Sequence, residues 1–190
     1  MSSASDVTER PEPWLVVIDV QHAFTDPASG WYAEGSDAAI AVIGQLVEQF
    51  RGRTAFTRFV RDADEAGSWR DYYDRWTEFR IAPDDPGWGI SMTVPAAAPV
   101  IDEPTFSKWT QRLRDVIGSA DIVVCGVATE CCVLSTAFAA ADAGRSVTVV
   151  SDACAGASVD AHEAALRLLH ANAPLIAVTT AAELIDSSTR

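Results

Sequence analysis

Basic residues are scarce in this chain. Lys and Arg number 14 against 27 Asp and Glu, for a net charge of −13 and a pI near 4.4. A surface of that sign repels phosphate backbones and anionic lipid headgroups, and the arginines are scattered among Asp and Glu rather than gathered in a patch. Nucleic acids and membrane surfaces are therefore not expected as partners. Long apolar runs are missing as well; none approaches the roughly 18 residues that a membrane span needs. The first 13 residues are polar, with no basic end leading into an apolar stretch, so no signal peptide is expected and a cytoplasmic location follows. There are four cysteines (Cys125, Cys131, Cys132 and Cys154) without paired C-x-x-C spacing, which argues against a structural zinc site and for reduced thiols. Histidine is rare too, with His22, His162 and His170 the only three.

What is present suffices for a core. The chain has 190 residues, 48% of them hydrophobic, and a mean hydropathy of +0.08. We expect a tail over residues 1–13 and one domain over residues 14–190. Residues 14–20 form a short apolar run with a polar end, as a buried parallel strand would. In residues 36–50, Ile40, Ile43, Val47 and Phe50 recur at helical spacing, and Gly52 closes the segment. Further strands are expected at 53–60, 121–127, 147–151 and 175–179. An Ala-rich helix should run from about residue 131 to Ala143, stopped by Gly144. Another helix begins near Asp160, with Ala165, Leu168 and Leu169 as its apolar face, and a short one covers 181–185. Strands alternating with helices imply a parallel sheet covered on both faces. The middle is less regular: residues 68–79 are aromatic and charged, and residues 83–104 are proline-rich. This reads as a long excursion above the sheet, with a short strand at 105–107, and such excursions often bind ligands.

Three side chains fall at expected carboxyl ends of strands. Asp19 ends the first apolar run, where a carboxylate must be paired or bonded to backbone amides to offset its desolvation. Cys132 opens the Ala-rich helix, where the dipole and free N–H groups favour a thiolate and could hold an oxyanion. Its neighbour Cys131 has the same claim, and one of the two faces the core. Lys108 follows the short central strand and matters if it meets the other two, because a cation there stabilises a thiolate and keeps a carboxylate ionised. A reversal of strand order between the first strand and that beginning at Asp121 would open a crevice at their carboxyl ends and bring Asp19 and the Cys132 turn face to face.

Leu15-Val-Val-Ile-Asp19-Val-Gln21-His-Ala-Phe24, then Lys108, then Gly126-Val-Ala-Thr-Glu-Cys-Cys132-Val-Leu-Ser-Thr-Ala137 and Val149-Val-Ser-Asp152-Ala153 resemble the isochorismatase-like cysteine hydrolases. That superfamily includes nicotinamidase, N-carbamoylsarcosine amidase and ureidoacrylate amidase, and the resemblance runs from Trp14 to about Ile185. It implies a three-layer α/β/α fold around a six-stranded, mostly parallel Rossmann-like sheet in the order 3-2-1-4-5-6. It implies a catalytic triad of Asp19, Lys108 and Cys132, with Cys132 rather than Cys131 as nucleophile. It further implies a cis peptide between Val127 and Ala128, with the N–H groups of Ala128 and Cys132 forming an oxyanion hole.

The chain also departs from the pattern. Nicotinamidases hold a metal with an Asp-x-His and a further His after the second strand, whereas Thr57-Arg-Phe-Val-Arg-Asp-Ala-Asp64 has no histidine. Ala23 stands where an acidic residue is frequent, and Glu130 where Asp is usual. The expected function is thus a cysteine amidohydrolase needing no metal or other cofactor, cleaving a C–N bond of a small carboxamide or ureido compound through a thioester. Alternatives are an isochorismate-type vinyl-ether hydrolase, a non-catalytic binding relative, and a redox switch at Cys131 and Cys132. Gln21, Phe24, Trp76 and Trp88 are candidates to line the substrate pocket, and His22 could join them; His162 and His170 read as surface or satisfied residues. The resemblance implies a homodimer or homotetramer, with residues 68–79 as a candidate contact.

Overall fold

Trp14–Ile18 forms strand β1, and from Leu15 onward its side chains are at most 1% exposed. A strand this apolar needs cover on both faces, which a parallel sheet with helices on either side supplies. The computed structural model describes residues 11–188. In chain order, β1 is followed by α1 (His22–Thr25), α2 (Ser36–Gln49), β2 (Thr54–Phe59), α3 (Trp69–Arg75), β3 (Val100–Glu103), α4 (Gln111–Ile117), β4 (Ile122–Val127), α5 (Leu134–Asp142), β5 (Val147–Ala155), α6 (Val159–His170), β6 (Ile176–Thr179) and α7 (Ala181–Ser188). The six strands lie in the order β3-β2-β1-β4-β5-β6, and every neighbouring pair is parallel. Helices α2 and α7 pack together on one face, and α5 and α6 on the other. This is a three-layer, Rossmann-like α/β fold.

The order reverses between β1 and β4, which pair from Trp14 with Ile122 to Ile18 with Gly126. Crossovers leave in opposite directions from these two strands, so the loops after them part and leave a crevice at their carboxyl ends. Gly126 is required here. Its φ is +115°, and a Cβ on it would stand 2.1 Å from the Ile18 carbonyl oxygen. The register with β5 also shifts between Val124 and Gly126, whose partners are Val149 and Cys154, so the extra residues lie on β5 beside the end of β4.

Several expected elements need correction. The strand expected at 105–107 lies earlier, at β3, because Ile101 and its neighbours pair with Phe56–Phe59 of β2 and Pro104 then offers no N–H to continue. The first strand stops at Ile18, since Asp19 turns into the left-handed region at φ +48°. A π-helical turn, Thr129–Val133, precedes α5, so that helix begins later than its apolar pattern suggests. In α6, Ala165 and Leu169 are buried but Leu168 is 55% exposed, so the apolar face is narrower than expected. Helices α1, α3 and α4 had no clear periodic signature. The first ten residues of the expected tail lie outside the described residues.

The excursion between β2 and β3 is anchored by charge and by aromatic packing. Glu65 accepts from Arg61 and Arg80, and Arg80 also reaches Asp74 and the Arg70 carbonyl. The Arg80 guanidinium, and Arg61 after it, hold the Glu65 carboxyl below its ordinary range. Trp31 stacks on Phe79 and Phe24 with interplanar angles of 7° and 8°. The aromatic side chains of residues 68–79 thereby turn onto the chain's own body: Tyr73 and Phe79 are buried, and Tyr72 and Trp76 partly so. Among the described residues, no helix is long and apolar enough to cross a membrane.

Candidate active site

Asp19, Lys108 and Cys132 meet at the crevice. The left-handed turn at Asp19 swings its carboxylate off the sheet, where it is fully buried. The Thr57 hydroxyl, on the adjacent β2, donates to Asp19 Oδ1 at 2.6 Å and accepts the Asp19 N–H at 3.3 Å. Lys108 Nζ stands 3.0 Å from Asp19 Oδ2, and both side chains are 0% exposed. A buried ion pair persists only if further bonds satisfy it. Nζ therefore also donates to the Thr105 carbonyl and lies 4.7 Å above the centre of the Phe59 ring. The Lys108 backbone is itself pinned, donating its N–H to Thr136 Oγ1 on α5 at 2.9 Å.

The Cys132 thiol lies close enough to this pair to feel the charges of both Asp19 and Lys108. Its environment corrects the expectation of an eased thiolate. Burial, and next the negative charge of Asp19, push the thiol well above its ordinary range, with Lys108 pulling the other way. The π-helical turn sets Cys132 ahead of α5, and its 3% exposure outweighs any help from helix N–H groups. At rest the sulfur keeps its proton, and a carboxylate stands ready to take it. Cys131 is half-buried, its thiol pushed up to about 11 by burial and by Glu130.

A cavity of about 200 Å³ opens over the thiol, with Ala128, Cys131 and Cys132 in its floor and Phe24, Trp31 and Trp76 among its walls. The peptide joining Val127 to Ala128 is cis. Two candidate pocket residues lie elsewhere. Gln21 is 0% exposed, its amide donating to the Phe59 and Trp88 carbonyls and accepting the Phe59 N–H, so it braces the loops behind the wall. Trp88 is also 0% exposed, with its indole N–H on the Ala82 carbonyl. His22 is exposed and stands against Ser91, outside the cavity walls; His162 is satisfied by Thr129 Oγ1 at 2.8 Å.

Sequence reasoning missed Thr57, Phe59, Tyr72, Phe106 and Glu130. Thr57 and Phe59 read as ordinary strand residues, and only the pairing of β1 with β2 reveals their place. One signal for Lys108 was available: it is the chain's only lysine, every other strong base being arginine.

The segment from Thr57 to Asp64 holds no histidine. Near the end of β2, Arg58 pairs with Asp102, and just beyond the strand Arg61 pairs with Glu65. Among the described residues, no three His, Cys, Asp or Glu side chains converge to hold a metal ion.

A parallel sheet with a thiol, a carboxylate and an ammonium at its switch point defines an α/β enzyme fold with a small-molecule cleft. The isochorismatase domain family matches residues 13–183, and the chain belongs to that family, whose members are hydrolases, amidases among them. Streptothricin hydrolase of Streptomyces noursei is 28% identical over 160 residues, 80% of this chain; the chain spans 58% of that relative's length. A cysteine hydrolase from Pseudomonas syringae pv. phaseolicola superposes with a TM-score of 0.82 at 23% identity, covering 94% of each chain. Pyrazinamidase of Pyrococcus horikoshii, in complex with zinc, superposes at 0.74 with 24% identity, covering 90% of this chain and 99% of its own. At these identities the superpositions establish the fold.

Proposed function

We propose that the protein is a metal-independent cysteine amidohydrolase acting on a small carboxamide or ureido compound. The observation that carries this reading is the buried Asp19–Lys108 pair set directly against the protonated Cys132 thiol. As the sulfur attacks the carbonyl carbon, its proton passes to Asp19 and the C=O electron pair moves onto oxygen. The N–H groups of Ala128 and Cys132 receive that oxyanion. Collapse breaks the C–N bond, and the leaving nitrogen takes the proton from Asp19, departing as ammonia or an amine. Asp19 then takes a proton from water as its oxygen attacks the thioester, and the departing sulfur recovers that proton. Lys108 pairs with the carboxylate between these transfers and fixes its position. Metal independence is supported by the arginine pairs at the end of β2 and just beyond it, where no histidine stands.

The reading is tested by ammonia release from a panel of amides and ureides. Cys132→Ala is expected to lower kcat by at least about three orders of magnitude. Cys131→Ala should retain most turnover, and mass spectrometry should trap an acyl adduct on Cys132. EDTA should leave the rate unchanged. Activity surviving in Cys132→Ala but lost in Cys131→Ala, or lost to EDTA and restored by zinc, would overturn the assignment.

A further inference from the structure

We infer that the substrate of this site carries a positively charged nitrogen, seated in the aromatic cavity beside Glu130 while its carbonyl meets Cys132. The inference deepens the amidohydrolase reading and rests on it. Six aromatic rings line the cavity: Phe24, Trp31, Phe59, Tyr72, Trp76 and Phe106. Indole and phenyl faces attract cations through their quadrupole, most strongly where water is excluded. Glu130 is the only charged side chain lining the cavity among the described residues. Its Oε1 accepts the Ala157 N–H at 2.9 Å, whereas Oε2 is buried without a hydrogen-bond partner in the protein.

Oε2 is packed toward Gly156, where a Cβ would stand 2.5 Å from it, so a substrate ammonium in the cavity would offset the charge of the carboxylate rather than bond that oxygen. A substrate anion would instead meet Glu130 with no lining cation to offset it. The other charged groups agree. Lys108 lies behind the floor, neutralised by Asp19. His162, near Glu130, is pushed below its ordinary range by burial, with Glu130 pulling the other way. At the rim, Glu78 Oε1 would stand 2.8 Å from a Cβ on the wall residue Gly30, so a second carboxylate borders the opening. Arg75 is exposed, its guanidinium 5.3 Å over the Trp76 ring. The net charge of −13 favours the approach of cations over anions. A volume of about 200 Å³ is below the roughly 300–1,000 Å³ of drug-sized sites, so the ligand is small.

The test compares two amides of one shape: trimethylammonioacetamide and 3,3-dimethylbutanamide, which differ in a quaternary nitrogen replacing a carbon. Because the charged nitrogen also activates the carbonyl inductively, the decisive reading is the ratio of their kcat/KM values in wild type against Glu130→Gln. Glutamine keeps an oxygen for the Ala157 N–H. The ratio is expected to favour the cation by about tenfold or more in wild type, to shrink several-fold in Glu130→Gln, and to fall with added salt. Tetramethylammonium chloride, matched against sodium chloride, should quench the cavity tryptophans saturably, and more weakly in Glu130→Gln. Should that variant fail to fold, Trp76→Leu serves for the same two readings. An unchanged ratio with equal quenching overturns the inference while leaving an amidase in place. Turnover of no amide in the panel would instead sink the hydrolase reading, and the quenching would still decide whether the cavity takes a cation.

Discussion

Thr57 shows how much a single hydroxyl contributes here. It both donates to the Asp19 carboxylate and accepts the Asp19 N–H, so one side chain fixes the residue's unusual backbone and its charge. Hydrogen bonds to charged groups contribute about 1.5–3 kcal/mol. Thr57→Val, which keeps the shape and removes the hydroxyl, is expected to lower kcat by about tenfold or more with a smaller change in KM. Thr57→Ser should recover most of the loss. Steady-state kinetics of the two variants decide the matter: a positioning role separates them, whereas simple packing would favour valine. Lys108 and Asp19 act as a unit in the same way, since removing either strands the other as an uncompensated buried charge.

The end of β4 is the element on which the site depends. Gly126 admits the Ile18 carbonyl at a distance closed to any other residue, and the π-helical turn that follows β4 then presents Cys132 to Asp19. Gly126→Ala combines a steric clash with a positive φ, so we expect a loss of about 2 kcal/mol or more in stability, read as a lower denaturant midpoint. A neutral result would mean that β1 and β4 can separate without consequence. Over the crevice, the aromatic excursion is held by Glu65, Arg61 and Arg80 at one side and by the Trp31 stack at the other. It forms a wall of the cavity through the packing of its own rings.

For the molecule as a whole, the cysteines govern behaviour at alkaline pH. Burial pushes the Cys154 thiol up to about 12, Cys131 to about 11, and Cys125 and Cys132 well above the ordinary range. Above an unfolded-state value of about 8.5 the unfolded chain loses these protons while the folded one keeps them. The unfolded state then binds fewer protons, so stability is whole below about pH 8 and falls as pH rises toward 11. Thermal unfolding between pH 7 and 10.5 should show a declining Tm. Cys154→Ala, which removes one such group, should show a shallower decline than wild type. Parallel curves would assign the effect elsewhere.

Local pattern was enough to specify most of the scaffold. Strand β1, helix α2 and strand β4 are legible because apolar residues recur at the period of the element that buries them, and Asp19 and Cys132 stand out as reactive groups beside such runs. Short elements such as α1, α3 and β3 carry too few residues for a period to register. What the linear pattern left open was decided by long-range packing: that Gln21 and Trp88 brace the wall rather than line the pocket, and that Thr57, Phe59 and Glu130 reach the site. The state of the thiol belongs with these, because it depends on how completely Cys132 is buried and on how near Asp19 lies. Periodicity reports which face of an element is covered; a proton's affinity and a cavity's walls depend on which other segments do the covering.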